Sequence, residues 1–169
     1  STILVGTPVA GNPTPLTTGS LAPVALGPLA VTANSTLDLG TDSTIDTLTL
    51  DFGATFTLTS PTLSRATVTG ESTLGGTPSI AATTADLVFN DTIHESGTSG
   101  LNLTGPYRVT FNASNDYSGT TTITAGQLVL AAPLGGSILG NLDLNAANAS
   151  GRVANVRVTQ PDQIGRAHV

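Results

Sequence analysis

The 169-residue sequence predicts an all-β protein whose short strands stack as the coils of a solenoid. Three observations favour this fold class: a composition poor in helix formers, apolar–x–apolar runs that recur along the chain, and the lack of hairpin dipeptides. Charged residues make up 9% of the chain, against about 25% in average proteins. Lysine and methionine, both good helix formers, are absent. The abundant threonine and valine suit the half-buried surface of a sheet.

Nine short runs have the form apolar–x–apolar, which places two side chains on the same face of a strand. The residues between them are mostly Gly, Asn, Asp, Ser and Thr, which favour turns. Many of the runs are about 8 to 14 residues apart, a spacing typical of many short strands. The runs lie at residues 37–39, 48–50, 56–58, 87–89, 101–103, 109–111, 128–130, 142–144 and 156–158.

Two all-β architectures compete, and the turn residues favour the solenoid. A sandwich or barrel would join paired strands by Asn-Gly or Asp-Gly turns, and neither dipeptide occurs in the sequence. The outward positions of the runs are mostly Thr, Ser and Asp, whose flat side chains can stack coil on coil. With about 20–25 residues per coil the chain supplies roughly seven coils. We therefore expect parallel pairing between residues about 15 to 30 apart and hardly any helix.

The two ends differ in composition from the middle of the chain. Residues 1–34 are uncharged and contain five of the ten prolines, which cannot donate to a sheet ladder. We expect an irregular first coil or a connector there, and β-helix coils over residues 35–163. The chain does not begin with Met, which indicates a piece of a longer polypeptide. The C-terminal coil should therefore expose apolar side chains.

Residues 164–169 have a sequence that matches a laboratory artefact. They read Ile-Gly-Arg-Ala-His-Val, which the DNA string ATC GGA AGA GCA CAC GTC encodes. This string belongs to a widely used short-read sequencing adapter. We hypothesise that these residues are adapter read-through and not native protein. A continuous reading frame across this junction in the resequenced locus would refute the hypothesis.

Charge and cysteine content exclude several classes of function. The net charge is −6, and the five cations are all arginines. A nucleic-acid-binding protein needs a basic stripe, which five scattered arginines do not provide. The absence of cysteine excludes disulfides and thiolate metal sites. We therefore expect no nucleic-acid partner.

The acidic residues are the first candidates for hidden chemistry, because solenoids of this kind can also carry glycosidase sites. Asp38, Asp42, Asp46 and Asp51 form the densest acidic set. A glycosidase needs two carboxylates about 5–10 Å apart, and adjacent coils could supply that distance. We favour a role in solubility, with these residues and Glu71 mostly exposed and scattered. The sequence therefore predicts no catalytic residues.

His94 lies beside Glu95 and near Asp91, and these residues form the second titratable cluster. One histidine with two carboxylates lacks the second His or Cys that a stable site needs. We expect a solvated loop histidine. The sequence accordingly predicts neither a metal site nor a cofactor.

The segment from Asn115 to Leu130 carries the most specific pattern in the chain. Asn115 and Asp116 can cap a turn with their own side chains, and Tyr117 is expected to pack over a neighbouring coil. Gly119 should free the backbone before a strand, and Gly126 should allow the next sharp corner. The residues that define the pattern are Asn115, Tyr117, Gly119, Thr121, Ile123, Gly126, Leu128 and Leu130.

This pattern resembles the autotransporter-associated β-strand repeat, over about residues 107–145. The resemblance implies the passenger of a bacterial autotransporter: a right-handed, single-stranded parallel β-helix, here a fragment of a longer one. It also implies export by type V secretion and a C-terminal β-barrel translocator outside this chain. The expected location is the cell surface, associated with the outer membrane. In such proteins the repeat is linked to transport and folding of the passenger.

The resulting expectation is a non-catalytic structural or adhesive region of an exported surface protein. Its expected partners are neighbouring coils of the same longer chain, and carbohydrate or protein of a host surface or matrix. Two alternatives stay open: a β-helical carbohydrate-active enzyme and the subunit of a self-assembling extracellular filament. An enzyme needs a groove with converging carboxylates, whereas an adhesin needs a long face of repeated small polar side chains.

Overall fold

The computed structural model describes residues 3–5, 16–17, 24–39, 42–59, 64–133, 137–145, 154–159 and 164–167. Within these ranges every regular element is a β-strand, and no helix of membrane-spanning length and apolarity occurs. In chain order the strands are β1 (Ile3–Val5), β2 (Leu16–Thr17), β3 (Val24–Leu26), β4 (Leu29–Val31), β5 (Thr36–Leu39), β6 (Ser43–Ile45), β7 (Leu48–Leu50), β8 (Thr55–Leu58), β9 (Arg65–Val68), β10 (Ser72–Gly75), β11 (Ser79–Ala82), β12 (Asp86–Phe89), β13 (Ile93–Ser96), β14 (Leu101–Thr104), β15 (Arg108–Phe111), β16 (Thr121–Ile123), β17 (Gly126–Leu130), β18 (Ile138–Leu144), β19 (Ala154–Val158) and β20 (Ile164–Ala167).

The strands form three parallel sheets, so the chain is a parallel β-solenoid as the sequence predicts. Sheet A has the order β1-β4-β7-β10-β13, sheet B the order β2-β5-β8-β11-β14-β16-β18-β20, and sheet C the order β3-β6-β9-β12-β15-β17-β19. Partner residues are between 19 positions apart, as Leu29 and Leu48 are, and 28 positions apart, as Gly126 and Ala154 are. The expected parallel pairing is confirmed for the described strands.

Strands β1 to β15 make five turns, each with one strand in every sheet. Beyond β15 the described strands belong to sheets B and C only. Length predicts roughly seven coils, whereas the described strands form five complete turns and, after them, strands on sheets B and C alone. Strands β4 and β5 lie on either side of residue 34, in the same turn, and of residues 1–23 the structure describes 3–5 and 16–17.

The core is a set of apolar columns, because the register places each inward side chain over its equivalent in the previous coil. In sheet B, Leu37 pairs with Phe56 and Phe56 pairs with Ile80, and all three side chains are fully buried. In sheet C the rings of Phe89 and Phe111 meet edge to face with centroids 5.7 Å apart. Burying each such side chain contributes about 1.5–3 kcal/mol. The columns therefore hold the coils together along the axis.

All nine apolar–x–apolar runs lie on strands, and the first seven bury both apolar side chains. The last two differ: Leu142 is buried but Leu144 is 40% exposed, and Val158 is 46% exposed. Leu139 is exposed as well. The predicted exposure of apolar side chains in the C-terminal turns is confirmed.

Candidate functional site

Polar side chains of the solenoid bond mainly to the coil before or after their own. Asp42 accepts hydrogen bonds from the Ser64 hydroxyl at 2.7 Å and from the Arg65 amide at 3.0 Å. The hydroxyl of Thr57 donates to the carbonyl of Leu37, 20 positions earlier. Such bonds join consecutive coils, because the bonded residues are 20 to 23 positions apart in the sequence. They act as staples between coils.

The acidic residues singled out in the sequence differ in exposure and in their hydrogen-bond partners. Asp46, Asp51 and Glu71 are exposed, whereas Asp38 and Asp42 are half-buried. Asp38 accepts bonds from the amide and the hydroxyl of Thr59, one coil further on. The hydrogen bond from Ser64 and two backbone amides hold the pKa of Asp42 below its usual value. A general acid needs the opposite shift.

Asp42 and Arg65 line a shallow surface depression together with Ser43, Thr44 and Thr67. Asp42 is the only carboxylate in this lining, and both of its oxygens already accept hydrogen bonds from Ser64 and Arg65. The depression therefore offers a single, occupied carboxylate where a glycosidase needs a pair.

His94 lies on strand β13, so the prediction of a loop histidine is wrong. Its Nδ1 is 2.7 Å from Oδ2 of Asp116, and its Nε2 is 3.6 Å from Oε1 of Glu71. The hydrogen bond with Asp116 is the main reason why the pKa of His94 is raised above its usual 6.5. Both partners come from neighbouring coils, 22 and 23 positions away along the sequence.

The sequence neighbours of His94 are engaged elsewhere. Glu95 accepts bonds from the Ser99 amide at 2.8 Å, and from the hydroxyl and amide of Ser118 at 2.8 and 3.0 Å. The amide of Ser118 contributes most to the lowered pKa of Glu95. Asp91 accepts a bond from the Thr92 amide. Among the described residues no group of three or more His, Cys, Asp or Glu side chains could hold a metal ion.

Asn115 is buried and bridges three coils with its side-chain amide. Its Oδ1 accepts a bond from the Ile93 amide at 2.9 Å, and its Nδ2 donates to the Ser137 carbonyl at 2.6 Å. The backbone amide of Asp116 bonds to the Ile93 carbonyl at 3.2 Å. No strand follows β13 in sheet A within the described chain. The Asn115 amide therefore supplies hydrogen bonds that a strand would supply in a regular coil.

The ring of Tyr117, expected to pack over a neighbouring coil, is fully buried in the core of the solenoid. Its hydroxyl lies 2.7 Å from the hydroxyl of Thr121, which is also fully buried. Burial raises the pKa of the Tyr117 phenol, so this side chain stays neutral. The pair satisfies two polar groups that would otherwise be stranded in an apolar core.

The two glycines of the segment act for different reasons. Gly126 has φ of +83°, in the left-handed region, and turns the corner into β17 as expected. Gly119 has no positive φ, so the prediction that it frees the backbone is wrong. A Cβ at position 119 would lie 2.4 Å from the carbonyl oxygen of Ser99. Gly119 is needed because two coils approach closely there.

The remaining residues of the pattern are inward-facing and completely buried: Thr121, Ile123, Leu128 and Leu130. The whole pattern is thus built into the interior and the corners of the solenoid. None of its side chains converges on an outward-facing ligand site in the described structure. The geometry indicates a role in stacking the coils.

A column of polar side chains on sheet C was not foreseen from the sequence. Arg108 donates from its amide to Asp86 at 3.0 Å and from Nε to Gln127 at 3.0 Å. Gln127 donates to Asn155 at 2.7 Å. These residues are 19 to 28 positions apart. In the sequence this column appears only as polar residues that recur once per coil. The coils differ in length, so the recurrence is hard to detect.

No family model, curated protein or solved structure matches this chain. The resemblance of the segment at about 107–145 therefore rests on its own residues.

Proposed function

We propose that this chain is a non-catalytic structural and adhesive passenger region of an exported bacterial surface protein. The observation that carries the proposal is the direction of the polar bonds, which run from coil to coil along the axis. An enzyme has to bring acids, bases and donors together around a substrate. Here Asp38, Asp42, Asp86 and Glu95 accept hydrogen bonds from the next coil instead.

The outward face of sheet B suits adhesion. Strand register places one polar side chain of each coil directly beside the next, about 4.8 Å apart along the axis. The side chains are short and half-exposed or exposed, so the face is flat. Many weak contacts along such a face add up when one partner carries several epitopes. The column consists of Thr36, Thr55, Ser79, Asn102, Thr122 and Asp143.

Export and surface location form part of the same proposal. A solenoid held by local, coil-to-coil contacts can form one coil at a time, which suits passage through a membrane in an extended state. The resemblance over about residues 107–145 supports type V secretion, with a C-terminal β-barrel translocator outside this chain. Protease treatment of intact producing cells should release peptides of this chain while a cytoplasmic marker stays intact. Peptides that appear only after lysis would contradict the surface location.

The adhesive role is tested with beads that carry the full 169-residue chain. We expect them to be retained on host-cell or matrix surfaces, and the variant Thr55→Glu/Asn102→Glu should lose most of this retention. Both positions lie on the sheet B face. The matched variant Thr44→Glu/Thr67→Glu adds the same charge to sheet C and should retain binding. Equal losses in both variants would indicate non-specific repulsion.

The same preparation tests the alternative of a carbohydrate-active enzyme. Incubation with a panel of acidic and neutral polysaccharides should produce no new reducing ends. Release of reducing ends that disappears in Asp42→Asn or Asp38→Asn would overturn the non-catalytic proposal.

Exposed apolar side chains near the C-terminal strands favour a filament as the second candidate. Leu144 and Val158 are exposed on β18 and β19, and open strand edges pair readily with other strands. If filaments form, the sedimentation coefficient should rise with protein concentration. The variant Leu144→Lys/Val158→Lys should then sediment as a monomer at every concentration. A chain that stays monomeric at high concentration rules out the filament and leaves the adhesive role intact.

A further inference from the structure

His94 connects three consecutive coils through its two ring nitrogens. Nδ1 lies 2.7 Å from Asp116 of the following coil, and Nε2 lies 3.6 Å from Glu71, which precedes β10 of the previous coil. On β13 its backbone is in register with Thr73 of β10. The imidazole thus lies between two carboxylates in a column of three titratable side chains. The His94 side chain is 37% exposed.

The column lies where the solenoid changes its construction. Strand β13 is the last described strand of sheet A. Asp116 belongs to the stretch 112–120, which has no strand and which we call the strandless segment. The contact between His94 and Asp116 therefore fastens the strandless segment to the last regular strand of its sheet. Glu71 extends the same column to β10.

The charged groups that face the ring are both acidic. Asp116 approaches from the strandless segment, and Glu71 approaches from the position just before β10. On the histidine's own strand, Glu95 is bonded to Ser99 and Ser118, and nearby Asp91 is bonded to the Thr92 amide. An imidazolium would have a carboxylate on each nitrogen, whereas a neutral ring can donate to only one of them.

We propose that His94 is a pH-controlled staple, whose protonated ring fastens the strandless segment to β10 and β13 and whose deprotonation loosens it. The proton is taken from water by the free ring nitrogen, and no covalent step is involved. Asp116 and, to a smaller extent, Glu71 raise the pKa of His94 above 6.5. The added stability is therefore complete below pH 6.5, and is lost as the pH rises through the raised pKa of the folded state.

Two measurements on the full chain test the staple. The first is an NMR titration of the His94 ring, whose signal is identified by its loss in His94→Gln because the chain has two histidines. The second is hydrogen exchange of the Asp116 amide, which bonds to the Ile93 carbonyl. Its protection factor should fall about twofold to fivefold between pH 5.5 and pH 8.5, the range expected for an exposed ion pair. The Ala131 amide, bonded to Phe111 on sheet C, is the internal control and should not change.

Variants show whether the pKa of His94 is set by its two contacting carboxylates or by the net charge of the chain. Asp116→Asn should lower the pKa of His94 more than Glu71→Gln does, whereas Asp143→Asn removes the same charge from the exposed face of β18 and should leave it unchanged. In His94→Gln the pH dependence at the Asp116 amide should disappear. The proposal is overturned if the pKa of His94 is the same in Asp116→Asn as in the unmodified chain. It is also overturned if the Asp116 amide is equally protected at both pH values.

Discussion

The five complete turns and the segment that follows them solve the same problem by different chemistry. In the turns from β1 to β15, backbone ladders on three sheets join each coil to the next. After β15, sheet A gains no further described strand, and the side chain of Asn115 bonds to both neighbouring coils in its place. A backbone ladder accepts almost any side chain, but a side-chain bridge requires one residue type. The recognisable pattern therefore marks the place where specific side chains replace a strand.

The largest effect expected from this comparison is at Asn115. Asn115→Ala removes the acceptor of the buried Ile93 amide and one hydrogen bond to the Ser137 carbonyl. Losing the acceptor costs about 1–3 kcal/mol and losing the second bond about 1 kcal/mol, so the free energy of unfolding should fall by roughly 2–4 kcal/mol. Equilibrium urea unfolding followed by circular dichroism measures this change.

The matched control is Asn112→Ala. Asn112 also bridges coils 22 positions apart, but its bond with Asn90 lies at the surface. Water replaces that bond, so a loss of about 0.5 kcal/mol is expected. Similar losses for Asn115→Ala and Asn112→Ala would mean that the buried bridge is no more important than a surface contact.

Gly119→Ala should have the next largest effect, about 3 kcal/mol. The new Cβ would lie within 2.4–2.7 Å of three backbone atoms of Ser99 and Gly100, which cannot move aside as a side chain could. Gly97→Ala is the control: it has open space but a φ of +78°, which costs about 1 kcal/mol. The argument from close approach fails if Gly97→Ala is the more destabilising of the two.

Tyr117→Phe is expected to destabilise the chain by about 1–2 kcal/mol, because it strands the buried hydroxyl of Thr121. The double variant Tyr117→Phe/Thr121→Val removes both hydroxyls together and should recover much of this loss. Thermal unfolding of the two single variants and the double variant gives the coupling between the hydroxyls. Additive losses would show that the two groups do not depend on each other.

The sequence predicted the strands best where both inward positions are large and apolar. All nine such runs lie on strands. Strands with small or polar inward residues were not recognised, as at Ser43 in β6, Ser72 in β10 and Ser79–Ala82 in β11. In these coils the backbone ladder and the neighbouring columns keep the strand in place. Periodicity alone cannot detect a strand whose stability comes from adjacent coils.

The partners of polar side chains could not be predicted, because they depend on register between coils. His94 was grouped with Glu95 and Asp91 by proximity in sequence, but its partners are Asp116 and Glu71. Turns differ in length, with separations of 19 to 28 residues between paired positions. A shift of one residue would reverse which side chains face outward. The identity of each cluster therefore follows from the register, which the structure supplies.

The smallest expected effect is at Glu95, whose carboxylate bonds to Ser99 and Ser118. Lowering the pH should weaken these contacts, whereas it should strengthen the contacts of His94. Hydrogen bonds from Ser118 and Ser99 lower the pKa of Glu95 below 4.5. A lowered folded pKa means that this stabilisation is complete above pH 4.5, and is lost as the pH falls through the folded value. Glu95→Gln should thus cost less than about 1 kcal/mol at pH 7, and the difference from the unmodified chain should shrink in acid. Asn112→Ala removes an uncharged side chain at the surface and should show no such convergence. Urea unfolding at pH 7 and pH 3 measures the free energy of unfolding of both variants. If the difference between Glu95→Gln and the unmodified chain is the same at both pH values, the charge of Glu95 does not stabilise its contacts with Ser99 and Ser118.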